Sequence, residues 1–206
     1  MRTRSHTVAL VVFEEVELLD LAAPLQVLSA AGRSWNFRPY RIVVAAPSAG
    51  LVSTRNQLRV EATTALAEMP AAEIVWIAGG YGARRLTDDP LALGEIARLA
   101  QGATLTAAVG WGVGVLAAAG CIGSRSVASS LELDPVVRRS APAAQLSAAP
   151  GVIADGPLLT VANTGAALEL ALTVVRLTMG AKLAEKVIAE LALEQHRSSE
   201  RIELKY

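Results

Sequence analysis

Thr104-Leu105-Thr106-Ala107-Ala108-Val109-Gly110-Trp111-Gly112-Val113-Gly114-Val115-Leu116-Ala117-Ala118-Ala119-Gly120 carries no charge and changes character at Gly110. Thr104–Val109 is an unbroken apolar run of strand length, and Trp111–Ala119 is an apolar stretch of helix length closed by Gly120. A strand without polar alternation belongs inside a parallel sheet covered on both faces. A helix that is apolar all round is buried. The wider segment Ala103–Gly123 is long enough to cross a bilayer. Its glycines, Gly110, Gly112, Gly114 and Gly120 among them, and its strand-like first third instead fit a buried strand turning into a buried helix.

The same alternation runs outward in both directions. Upstream, Thr7–Phe13 reads as a strand and Leu18–Ala31 as a helix ended by Gly32. Tyr40–Ala46 is a strand, Leu51–Thr54 and Leu58–Glu61 form a small hairpin, and Glu73–Ala78 is a buried strand running into Gly79-Gly80. Pro90–Ala100 has helical spacing, with Pro90 suited to a first turn. Downstream, Ser126–Ser130 reads as a short strand and Leu131–Arg139 as a short helix. Ala144–Ala148, Val152–Ala154 and Leu158–Ala162 are strands, the last two joined by an Asp155-Gly156 turn. Helices Gly165–Met179 and Ala181–Glu194 close the fold, and His196–Tyr206 is polar. The pattern predicts one α/β domain over 1–196 with a polar tail at 197–206. Its fold is a three-layer sandwich, a mostly parallel central sheet with helices on both faces.

Composition narrows the function classes. The 206 residues are 52% hydrophobic and 18% charged, which excludes a disordered chain. Nineteen basic residues balance nineteen acidic ones, so no positive field points to nucleic acid as a partner. Cys121, the single cysteine, cannot form an internal disulfide and fits a reducing compartment. Arg2 and Arg4 precede the apolar start, but Glu14, Glu15 and Glu17 follow at once, unlike an export signal. A soluble, cytoplasmic protein without a membrane span is expected.

Ligands of open α/β sheets collect beyond the carboxyl ends of the strands. Three junctions stand out there. Asp20 sits among Leu18, Leu19, Leu21 and Ala22 near a helix start. It reads either as a helix cap or as a partly desolvated general acid/base with a raised pKa. Gly79-Gly80-Tyr81-Gly82 follows a strand, where main-chain N–H groups can face an anion, or where a tight turn needs glycine. Gly110 occupies the strand-to-helix turn where a nucleophile elbow places Ser or Cys, and it has no side chain to react. The spacing Gly110/Gly112/Gly114 is not that of a dinucleotide loop.

These stretches resemble the ThiJ/PfpI superfamily, a branch of the class I glutamine amidotransferase-like (flavodoxin-like) fold. Nearest are the isocyanide hydratases and the sensor domains of AraC-type regulators. Val16–Pro24 is similar to the family's acidic residue and "DLAGP" turn, and Ile77–Gly82 to its "PGG-x-G" loop. Val109–Gly112 with Leu116–Gly120 is similar to "VCTGA…LAAAGLL", and Thr160–Asn163 with Leu168–Leu172 to "TSAG…IDLAL". The resemblance places the family's reactive cysteine on Gly110, the threonine after it on Trp111 and its histidine on Ser129. The acid is kept as Asp20.

Covalent thiol chemistry is therefore not expected, and no Ser-His-Asp, Cys-His or metal-ligand set replaces it. The resemblance implies two functions. One is a cysteine-independent hydratase, lyase, isomerase or cyclase acting on a small, fairly apolar metabolite, with a place in specialised metabolism. Asp20 would be its acid/base, the amides of Gly79, Gly80, Gly110 and Trp111 its oxyanion donors, and Trp111, Tyr81, Ser129 and Asn163 its substrate contacts. The alternative is a catalytically inactive ligand-binding or sensor module. Neither requires a metal or cofactor, and the resemblance implies a homodimer. The polar tail carries no helix-turn-helix with which a regulator would bind DNA.

Overall fold

The computed structural model describes residues 5–33 and 37–192. In chain order the strands are β1 (His6–Val11), β2 (Tyr40–Ala46), β3 (Gly50–Ser53), β4 (Arg59–Ala62), β5 (Thr64–Ala65), β6 (Ile74–Ile77), β7 (Leu105–Val109), β8 (Ser126–Ala128), β9 (Gln145–Ser147), β10 (Ile153–Asp155) and β11 (Leu158–Val161). The helices are α1 (Leu18–Arg33), α2 (Ala83–Leu86), α3 (Pro90–Gly102), α4 (Trp111–Ala118), α5 (Asp134–Ser140), α6 (Ala167–Met179) and α7 (Ala181–Glu190). The 197–206 tail, His196 and the end of the expected last helix at Glu194 lie outside the described residues.

Seven strands form the central sheet in the order β10-β11-β7-β6-β1-β2-β5. Every pair is parallel except β10–β11. β6 and β7 are buried along their whole length, which is why their sequences lack polar alternation. Helices α1, α6 and α7 pack together as one layer, while α4 packs with α2, α3 and α5. Ala103–Gly123 is thus a buried strand followed by an eight-residue helix. Among the described residues no helix is long and apolar enough to cross a membrane.

Several boundaries differ from the expectation. Ser126–Ser130 shortens to β8, which pairs with β9 outside the central sheet. The helix expected from Leu131 begins at Asp134, next to Pro135, whose fixed φ suits a first turn. The short helix α2 was not legible in the sequence.

Candidate functional site

The chain lays down β1, moves to β2 on one side, then returns to β6 on the other. The crevice between the carboxyl ends of β1 and β6 is therefore the topological switch point, where such sheets bind ligands. A pocket of about 450 Å³ opens there. Four strand ends supply its wall: Glu17 and Asp20 after β1, Gly80 and Tyr81 after β6, Gly110 and Trp111 after β7, and Ala162, Asn163 and Thr164 after β11. Arg55, Arg84, Ser130, Glu132 and Leu133 complete it.

Asp20 lies in the first turn of α1, where the helix dipole favours a negative charge. It does not cap that helix. Its Oδ2 accepts the Gly79 amide at 2.9 Å, and the Gly79 carbonyl accepts the Glu17 amide at 3.0 Å. This reciprocal pair ties the start of α1 to the end of β6. Only glycine permits the approach: a Cβ on residue 79 would lie 2.6 Å from Asp20 Oδ2 and 2.7 Å from the Val109 carbonyl oxygen.

Asp20 is 1% exposed, and its second oxygen, Oδ1, has no hydrogen-bond partner. Burial pushes the carboxyl from 3.8 up to about 6. The Thr164 hydroxyl and the Gly79 amide pull it down, while the Glu17 charge adds to the rise. A carboxylate of this kind is matched to moving protons near neutrality.

The expected amide donors divide into two groups. The Gly79 amide is taken by Asp20 and the Gly110 amide by the Val161 carbonyl at 2.9 Å, so neither is free to face a ligand. The amides of Gly80 and Trp111 have no acceptor among the described residues, and Trp111 opens α4, where no carbonyl of the helix can take it. Gly110 holds φ +49° at the turn, a conformation that L side chains rarely adopt.

Tyr81, Trp111 and Asn163 line the pocket as expected, but Ser129 does not. Ser129 is buried; its hydroxyl donates to Asp134 and its amide to the Ser147 carbonyl. The β8–β9 pairing turns it inward, and its neighbour Ser130 takes the wall position. Charged residues were missed in the sequence reading. Arg84 lies over the rings of Trp111 (4.5 Å) and Tyr81 (5.1 Å), and it faces Glu132 at 3.6 Å. With Glu17, Arg55, Arg84 and Glu132 on the wall, the pocket is more polar than the expected apolar one. Cys121 is half-buried, away from the pocket wall, with its thiol pushed up by burial. Among the described residues no three His, Cys, Asp or Glu side chains are placed to hold a metal ion.

A doubly wound α/β protein with a polar pocket at its switch point is the class that these features define. The DJ-1/PfpI family profile matches residues 6–177, and the chain belongs to that family. Its fold is shared by a ThiJ/PfpI family protein from Pseudomonas syringae at 20% identity and TM-score 0.81, covering 93% of this chain and 76% of that one. It is also shared by DJ-1beta of Drosophila melanogaster at 21% identity and TM-score 0.80, covering 92% and 98%. An AraC family transcriptional regulator from Pseudomonas putida matches at 20% identity and TM-score 0.76, covering 90% and 99%. No curated protein sequence matches the chain.

Proposed function

We propose that the protein is an acid–base enzyme of the DJ-1/PfpI fold that works without a nucleophile, using Asp20 on a small carbonyl metabolite. The observation that carries this reading is the Asp20 carboxylate, buried, short of one hydrogen bond at Oδ1 and raised to about 6 on the wall of a pocket. A buried polar atom left unpaired is unfavourable unless a ligand completes it. Gly110 stands where the family's motif carries cysteine, so no thioester or thiohemiacetal forms at that position.

The steps follow from the groups present. Ionised Asp20 takes a proton from the carbon beside the substrate carbonyl. Negative charge gathers on the carbonyl oxygen, where the Gly80 and Trp111 amides donate to it. Protonated Asp20 then returns the proton. Delivery to a neighbouring carbon gives isomerisation; delivery to a β-hydroxyl, which departs as water, gives elimination, and the reverse, addition of water, gives hydration. The test is turnover of a metabolite extract by wild type and Asp20→Asn, checked for equal folding. A compound consumed by the first and spared by the second supports the reading, and equal consumption removes Asp20 from it.

A ligand-binding module is the second reading. It is favoured by the missing nucleophile and by the match to a transcriptional regulator along nearly all of that chain's length. It predicts a compound that co-purifies with both wild type and Asp20→Asn while neither consumes it.

A further inference from the structure

We infer that Arg84 is the anion-holding side chain of this pocket and that the ligand is a short oxo acid, its carboxylate on Arg84 and its carbonyl at the Gly80 and Trp111 amides. The carbonyl half rests on the acid–base reading above; the carboxylate half stands on Arg84 itself. Trp111 and Tyr81 hold the guanidinium from their ring faces, at 4.5 and 5.1 Å. Stacking of this kind leaves the N–H donors, which lie in the plane of the group, for a planar acceptor such as a carboxylate.

Among the described residues no carboxylate reaches Arg84 within hydrogen-bond distance. Glu132 stays 3.6 Å from Arg84 Nη2, beyond hydrogen-bond distance, and its side chain is 76% exposed. Elsewhere Arg33, Arg85 and Arg98 each close on a carboxylate at 2.6 Å. Arg55, on the same wall, makes no ion pair with any described residue. The pocket thus presents two guanidinium groups without a well-formed carboxylate partner among the described residues, one of them held between two rings.

Trp111 also links the two recognition points. Its amide is one of the free donors and its ring supports Arg84. The two recognition points therefore share one pocket wall, and a pocket of about 450 Å³ suits a carbonyl and a carboxylate on one small molecule. Asp20, on the same wall with Oδ1 unpaired, is the base available to the acidic C–H beside that carbonyl.

The probes are 2-oxobutyrate, 2-oxoglutarate and the methyl ester of 2-oxobutyrate. They are titrated into wild type, Arg84→Gln, Arg84→Lys and Asp20→Asn while the indole N–H signals are followed by NMR, with Trp111 assigned from Trp111→Phe. Wild type is expected to show saturable shifts of the Trp111 signal with the acids, and at least about tenfold weaker binding of the ester. Arg84→Gln loses about tenfold or more in affinity for the acids alone, Arg84→Lys recovers part of it, and added salt weakens the acids only. Equal binding of acid and ester, full affinity in Arg84→Gln, or no Trp111 shift up to about 20 mM of any probe overturns the inference. Asp20→Asn separates it from the catalytic reading: that variant keeps the preference for acid over ester whether or not Asp20 moves protons.

Discussion

The indole Nε1 of Trp76 donates to the main-chain carbonyl of Asp20 at 2.9 Å. That carbonyl is free because Pro24, four residues on in α1, has no N–H to give it. A proline inside the helix thus opens one carbonyl, and the largest fully buried side chain of the core fills it. Asp20 is held at its main chain by Trp76 and at its carboxylate by Gly79.

Trp76→Phe is expected to leave the Asp20 carbonyl buried without a partner, a loss of about 1–3 kcal/mol. Pro24→Ala in that background restores an N–H within reach of the same carbonyl and recovers part of the loss. A double-mutant cycle in urea measures the coupling between the two positions. Strict additivity would show that they do not share that carbonyl.

Asp20→Asn is expected to stabilise the protein at neutral pH. The carboxyl is harder to ionise when folded, so its contribution is most favourable below about pH 4 and is lost as pH rises through about 6. The rise from 3.8 to about 6 amounts to about 3 kcal/mol at full ionisation. Asparagine keeps an acceptor for the Gly79 amide and carries no charge. Urea unfolding at pH 4 and pH 8 checks the sign: the variant's advantage is larger at pH 8.

Activity that uses ionised Asp20 as its base is expected to rise with pH through about 6 and then level off. The charged groups around it on the pocket wall are Glu17, Arg55, Arg84 and Glu132. Glu17→Gln removes one cause of the raised pKa, so the midpoint of the kcat/KM profile moves down. An unmoved midpoint would assign that limb to another group.

Gly110→Ala and Gly112→Ala are expected to differ although they lie two residues apart. A Cβ at 110 meets only the Ala162 carbonyl oxygen, at 3.6 Å, so the loss is the strain of φ +49°, about 1–3 kcal/mol. A Cβ at 112 would lie 2.6 Å from the Ile77 carbonyl oxygen, where α4 rests on the end of β6. Thermal unfolding should therefore rank Gly112→Ala well below Gly110→Ala.

The parallel strands were legible because burial on both faces removes polar alternation, as in β6 and β7, and the junctions at their carboxyl ends followed from the glycines that end those strands; the switch point itself needed the strand order. The motif resemblance led to the family that the profile match shows. The failures at the site share one cause. Which amides are spent depends on pairing across the sheet: nothing in the local sequence of Gly110 indicates that Val161 takes its N–H. Arg84 was missed because it lies in a one-turn helix without periodicity, and its meaning comes from rings at positions 81 and 111 that only the fold brings beside it.

The pocket wall comes from four separate βα units, spanning residues 17 to 164. No fragment shorter than the assembled sheet contains it, so a ligand binds only the complete native state. Its binding energy then adds to global stability, about 2.7 kcal/mol at a hundredfold excess over Kd. Inside a cell, proteases act on the unfolded fraction, which shrinks as the ligand accumulates. For the ligand proposed above, the standing amount of the protein would thereby follow the supply of that compound.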